Sequence, residues 1–354
     1  MELTRRDFMK GAAAVGAAFG VSSIGILGTR ESLAATGAPR VIWLQGQGCT
    51  GCSVSLLNTI NYMTVDTLLL NTIDLTYDTT VMAAAGASAV AAAEANRAKP
   101  GYVLVVEGAI PTGAGGKYCT VWPGMTMHDA VRLYAKNAAA VLAVGTCACY
   151  GGMSAGKPNP TNAKGVRSVL SGKTVISIPG CPASPDWVIG TVAYFIKYGK
   201  APARDRVGRP TDYYGKRVHD QCPFRPDYDK GIGAVGLGSS GCLYSFGCNG
   251  PETYCDCPTR KWNSPAAGAV GVNWCIGARS PCIGCTQPDY PDGRSPFYKL
   301  GTDGVSGATT TTDGGTGATT TNGGTGGTTD GSTGATTTTG TTTTGGGDSD
   351  REDD

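Results

Sequence analysis

Between residues 40 and 200 the chain alternates short apolar runs with longer stretches whose apolar positions recur at helical spacing. The runs at 40–45, 102–107, 139–145 and 174–179 are rich in Val and Ile, a pattern that predicts buried strands. Stretches 80–98, 126–136 and 186–198 predict helices, and a further amphipathic run begins at Val54. Alternation of this kind predicts an α/β fold with a parallel sheet covered by helices on both faces. Ligands in such folds bind beyond the carboxyl ends of the strands. After about Lys200 the periodicity disappears, and Gly, Pro, aromatic residues and Cys take over. Little local propensity holds such a segment, so bound metal could serve as its core, with ligand binding contributing directly to folding.

The predicted strand ends are where cysteines fall. Residues 46–57, GQGCTGCSVSLL, place Cys49 and Cys52 on a glycine-lined turn between a strand and a helix. Cys147 follows the third run in Gly145-Thr146-Cys147, and Cys181 follows the fourth in Pro179-Gly180-Cys181-Pro182. The second run ends in Glu107-Gly108 without a thiol, so this turn is expected to shape the site or line it. Thiolates beside helix N-termini suit an iron-sulfur cluster better than a buried core. Convergence of four thiols from three strand ends is therefore the prediction, against the plainer alternative of scattered core cysteines.

Two more sets follow from spacing in the irregular segment. His219 and Cys222 lie within one turn, with Cys242 and Cys248 downstream; together they make one His and three Cys. Cys257, Cys275, Cys282 and Cys285 form the other group. One His with three Cys is also a structural zinc arrangement, which the residues alone leave open. Three sets in one chain favour a relay of redox centres. His128, on a predicted helix, reads as structural.

Composition changes the picture in three ways. The 354 residues carry 14 Cys, 2 His and a net charge of +2, which argues against nucleic acid as a partner. Residues 1–35 read as a twin-arginine export signal, with Arg5-Arg6, a weakly hydrophobic Gly- and Ala-rich stretch and small residues for cleavage. That route carries folded proteins, which favours a preloaded metal cofactor over disulfides. From residue 301 the chain is Gly- and Thr-rich and closes on acidic residues, a composition expected to be disordered. No run of about twenty apolar residues suggests a membrane span there.

Taken in order, Cys49-Thr50-Gly51-Cys52-Ser53, Val105-Val106-Glu107-Gly108, Gly145-Thr146-Cys147, Gly180-Cys181-Pro182, His219 with Cys222, Gly241-Cys242-Leu243-Tyr244 and Pro281-Cys282-Ile283-Gly284-Cys285 resemble the small subunit of periplasmic nickel-iron hydrogenases. The resemblance spans about 40–298. It implies a flavodoxin-like domain at 36–200, an irregular iron-sulfur domain at 201–300 and a tail at 301–354. It also implies a role in reversible hydrogen oxidation, with electrons relayed from a nickel-iron centre in a partner large subunit to an acceptor, a c-type cytochrome or a membrane-linked redox partner. Carried over, Cys49, Cys52, Cys147 and Cys181 match the ligands of a proximal 4Fe-4S cluster. His219, Cys222, Cys242 and Cys248 match those of a distal 4Fe-4S cluster. Cys257, Cys282 and Cys285 match the medial ligands, and Cys275 stands where many relatives have a proline and a 3Fe-4S cluster, so a medial 4Fe-4S cluster is expected, with 3Fe-4S as the alternative. Oxygen-tolerant relatives carry two extra cysteines at positions that are Gly51 and Gly152 here, which implies an ordinary proximal cluster. Cys149 is expected to point away from that cluster on an extended backbone, and Cys119, Cys149 and Cys255 remain unassigned. A stand-alone iron-sulfur carrier is the alternative function.

Overall fold

The computed structural model describes residues 38–299, so the export signal at 1–35 and the tail from 301 lie outside the described residues. Five parallel strands form the central sheet: β1 (Arg40–Gln45), β2 (Asp74–Asp78), β3 (Tyr102–Glu107), β4 (Ala138–Val144) and β5 (Val175–Ile178). Their order is β2-β1-β3-β4-β5, the doubly wound order of flavodoxin-like sheets. The order reverses between β1 and β3, which pair in register from Val41 with Val103 to Gln45 with Glu107.

Alternation of side chains across these strands builds two cores. Val41, Trp43, Val103, Val105, Leu142 and Ile176 face one side, where helices α1 (Gly51–Leu57) and α5 (Pro185–Tyr198) pack through Leu56, Trp187 and Val188. Ile42, Leu44, Leu104, Val106 and Val141 face the other, covered by α2 (Gly86–Arg97) and α3 (Met127–Ala135) through Ala93, Met127, Val131 and Tyr134. Every residue of β3 is buried, as its unbroken apolar run requires. Capping sets helix boundaries: the Thr126 hydroxyl accepts the Asp129 amide at 3.1 Å to start α3, and Gly199, at φ 63°, ends α5.

Among the described residues, the segment after residue 200 contains helical turns of three to five residues and isolated bridges such as Arg217 with Tyr254. Its apolar side chains, including Tyr213, Tyr214, Val218, Leu243, Trp274 and Ile276, join the first core rather than form one of their own. The thiol-rich segment thus lies on the same face of the sheet as α1.

Two expectations are corrected. The helix predicted at 80–98 begins only at Gly86, because the Asp78 carboxylate accepts the Thr80 and Val81 amides at 2.7 and 3.2 Å and holds a turn there. Strand β2 was not expected at all; it is an edge strand, and its sequence, DLTYD, is too polar to stand out.

Candidate functional site

The site grows from the switch point between β1 and β3. Past their ends the two turns touch backbone to backbone: Gln47 and Ala109 exchange amide hydrogen bonds of 2.9 and 2.7 Å, and a Cβ on Gly46 would stand 2.5 Å from the Ala109 carbonyl oxygen. Only glycine permits that approach. The Glu107 carboxylate, buried at the end of β3, then receives the N-terminus of α1. It accepts hydrogen bonds from the Cys52 amide at 2.9 Å, the Ser53 amide at 3.2 Å, the Ser53 hydroxyl at 2.6 Å and the Trp43 indole at 3.1 Å. Glu107 is therefore the group that fixes Cys52.

Cys147 lies in the short helix α4 (Gly145–Tyr150) that follows β4, and Cys181 follows β5. Thr146 ties the two turns together, exchanging hydrogen bonds of 2.9 Å with the Gly180 amide and carbonyl. Burial pushes the Cys52 thiol well above its ordinary pKa, and the charges of Glu107, Cys147 and Cys181 push it further. Cys147 and Cys181 are raised by burial too, and the charge of Cys49 adds to the rise of each. The four thiols thus share one neighbourhood.

Three glycines leave room around these sulfurs. A Cβ on Gly145 would fall 2.5 Å from Cys52 Sγ, on Gly152 2.9 Å from Cys147 Sγ, and on Gly51 3.0 Å from Cys49 Sγ. The Ala183 amide approaches Cys52 Sγ at 3.5 Å, and the Met153 and Ser154 amides donate to the Cys147 sulfur.

Cys257, Cys275, Cys282 and Cys285 form a second group. Burial raises Cys285, and the charges of Cys282, Cys257 and Cys275 add to it. Cys255, one of the unassigned thiols, is buried and its pKa is raised by the neighbouring Cys257 and by burial, so it sits directly behind this group.

His219, Cys222, Cys242 and Cys248 form the third. Burial pushes Cys222 up to about 11, opposed by the Phe224 amide and reinforced by the charges of Cys248 and Cys242. His219 is half-buried, its ring edge-on to Tyr228 at 4.7 Å. Burial and the nearby Arg225 charge hold its pKa below the usual histidine value. A Cβ on Gly250 would meet Cys248 Sγ at 3.3 Å and the His219 nitrogen at 3.8 Å, which brings that thiol beside the histidine backbone.

The groups touch in sequence. The Thr146 hydroxyl donates to the Cys285 carbonyl, joining the first to the second. The Asn249 amide, next to Cys248, donates to the Cys282 carbonyl at 2.7 Å, joining the second to the third.

The donor sets fit polynuclear clusters. All fourteen cysteines are free of disulfides. Among the described residues no three or more His, Cys, Asp or Glu side chains converge closely enough to hold a single metal ion.

The other singled-out residues separate from these groups. His128 approaches Asp129 at 3.4 Å on α3, as a structural residue would. Cys149 does point away from Cys147, yet for a different reason than expected: the backbone is helical, and residues two apart on a helix diverge by about 200°. Its thiol donates to the Ala143 carbonyl at 3.2 Å within the second core, against which Cys119 also packs. The Thr146 bridge and the contact of the Tyr290 hydroxyl with the Cys181 sulfur escaped sequence reading. A threonine between Gly145 and Cys147 is a faint signal, and Tyr290 gives none.

Fold and thiol arrangement together define a thiol-rich α/β protein whose first thiol group lies past the sheet's switch point. Residues 214–298 match the family model for the C-terminal region of nickel-iron and nickel-iron-selenium hydrogenase small subunits. Residues 49–195 match the NADH ubiquinone oxidoreductase 20 kDa subunit model, and residues 2–22 match the twin-arginine translocation signal sequence. The chain is 40% identical over 321 residues to the periplasmic nickel-iron-selenium hydrogenase small subunit of Desulfomicrobium baculatum, covering 84% of this chain and 99% of that protein. It is 42% identical over 309 residues to the periplasmic nickel-iron hydrogenase small subunit of Solidesulfovibrio fructosivorans, covering 84% of this chain and 94% of that one. The crystal structure of the reduced, active Desulfomicrobium baculatum nickel-iron-selenium hydrogenase superposes with a TM-score of 0.70 at 40% identity, covering 74% of this chain and 99% of that one.

The chain belongs to the family of nickel-iron hydrogenase small subunits. It is part of a hydrogenase, exported to the periplasm by the twin-arginine route. Family membership together with the cysteine content implies iron-sulfur clusters. Among the described residues no helix is long and apolar enough to cross a membrane.

Proposed function

We propose that this protein relays the electrons of reversible hydrogen oxidation through three clusters. Cys49, Cys52, Cys147 and Cys181 hold a proximal 4Fe-4S cluster. Cys257, Cys275, Cys282 and Cys285 hold a medial 4Fe-4S cluster, and Cys222, Cys242, Cys248 and His219 hold a distal one. Such clusters supply one-electron transfer at potentials tuned by charge, hydrogen bonding and burial. The single observation that carries the reading is the pair of contacts from the Thr146 hydroxyl to the Cys285 carbonyl and from the Asn249 amide, next to Cys248, to the Cys282 carbonyl.

On this reading the protein's residues have distinct tasks. Glu107 anchors Cys52, Thr146 locks the first group to the second, and the half-buried His219 marks the exit toward a c-type cytochrome or a membrane-linked acceptor. The nickel-iron centre belongs to a large partner subunit, which seats beside the first group. Supporting that seat, exposed Val54 and Ile60 line, with Gly51 and Pro182, a cavity of about 330 Å³. The domain division near residue 200 is part of the same proposal.

Metal analysis of the purified native complex tests it. The expected result is nickel in the partner and about twelve iron atoms in this protein, three clusters' worth. A complex without nickel would point to the stand-alone carrier, and iron for fewer than three clusters would refute the relay.

A further inference from the structure

Arg279 is the residue whose placement neither family membership nor the ligand sets account for. It sits between Cys275 and Cys282 of the second group, yet its side chain reaches into the third. Its backbone has φ 60°, a conformation that disfavours side chains other than glycine. Nε donates to the Ser239 carbonyl at 2.5 Å and Nη2 to the Gly241 carbonyl at 2.6 Å, immediately before Cys242. The guanidinium carbon lies 4.2 Å from the centroid of the Phe224 ring, two residues after Cys222. Nη1 is fully buried and has no hydrogen-bond partner in the protein. None of the ion pairs among the described residues includes Arg279.

A strained backbone, two short bonds and a cation left unpaired are a costly arrangement for a simple loop staple. They are what a fixed positive charge beside an electron-accepting group requires, because a guanidinium stays charged and its planar fork cannot drift. Gly241 directly precedes Cys242 and Phe224 lies two residues after Cys222, so the guanidinium stands against both thiol-bearing turns of the third group.

We propose that Arg279 is a positioning residue of the relay that raises the reduction potential at the His219 group, holding Gly241 and Phe224 in place while its buried charge stabilises an added electron. The inference rests on the distal assignment above. The affected step is a one-electron exchange: the electron comes from the second group, which is oxidised by one, and leaves to a one-electron protein acceptor. With Cys275 adding negative charge at the second group and Arg279 adding positive charge at the third, one eight-residue stretch from 275 to 282 makes the outward step downhill.

The test is an EPR-monitored redox titration of all three clusters in the native complex carrying Arg279→Gln, Arg279→Gly or Arg279→Lys. Glycine suits the positive φ and so removes the charge without adding strain. In the Gln and Gly variants the reduced-to-oxidised ratio of the histidine-bearing cluster at a fixed potential should fall about tenfold or more, about 59 mV for a one-electron centre. The other two clusters should shift much less, and Lys should restore most of the difference. Unchanged distal potentials in Gln and Gly, equal shifts of all three clusters, or an equal loss in Lys would overturn the inference. Failure of the underlying assignment is recognised separately, in the unmodified complex, if no cluster shows coupling to a histidine nitrogen.

Discussion

Replacing Glu107 probes how the sheet positions its first thiol. Glu107→Ala strands four buried donors: the Cys52 and Ser53 amides, the Ser53 hydroxyl and the Trp43 indole. An unsatisfied buried donor costs about 1–3 kcal/mol, and allowing the hydroxyl to rotate and water to enter leaves roughly 4–6 kcal/mol for the set. Glu107→Gln keeps the volume and one accepting oxygen. It turns an NH2 group toward the Trp43 indole and loses the charge at the α1 N-terminus, for roughly 2 kcal/mol. At about 2–4 °C per kcal/mol for a chain of this size, the Gln variant should melt about 4–8 °C lower and the Ala variant at least about 10 °C lower. Thermal melting of the complex, followed with the proximal EPR signal, provides the assay. Removing the carboxylate charge next to Cys52 should also make the proximal cluster easier to reduce in the Gln variant. An Ala variant that melts within about 2 °C of the parent with an unaltered proximal signal would refute the anchoring role, since four stranded donors cannot cost so little.

Gly152→Ala puts a Cβ 2.7 Å from the Cys147 nitrogen and 2.9 Å from its sulfur at φ 50°, so the proximal cluster should be lost or severely depleted while the fold persists; iron content and EPR report it. Cys275→Pro should convert the medial cluster to a 3Fe-4S form with a new signal in the oxidised state and a higher potential, whereas an unchanged signal would remove Cys275 from the ligand set.

Much of this was legible in the sequence, for physical reasons. Strands such as 102–107 are buried on both faces and so carry unbroken apolar runs. The thiols of the first group follow such runs directly, which placed them at the carboxyl edge. Strand β2 was invisible because an edge strand needs fewer apolar residues, and Thr76 directs its hydroxyl to the Val41 carbonyl at 2.9 Å rather than advertising a core. An extended backbone would have put Cys149 on the same face as Cys147, because residues two apart on a strand share a face; only the helical turn at 145–150 separates them. Long-range contacts were beyond reach: Glu107 receives the amides of residues more than fifty positions earlier, and Arg279 meets the third group from within the second. No local pattern encodes either.

Dipolar coupling between the reduced clusters, measured by pulsed EPR on the native complex, bears most directly on the claim of a three-member relay. Strong coupling of the medial centre to both the proximal centre and the histidine-bearing centre, with weak coupling between those two, is the predicted result. A histidine-bearing centre coupled more strongly to the proximal than to the medial centre would contradict the order of contacts through Cys285 and Cys282.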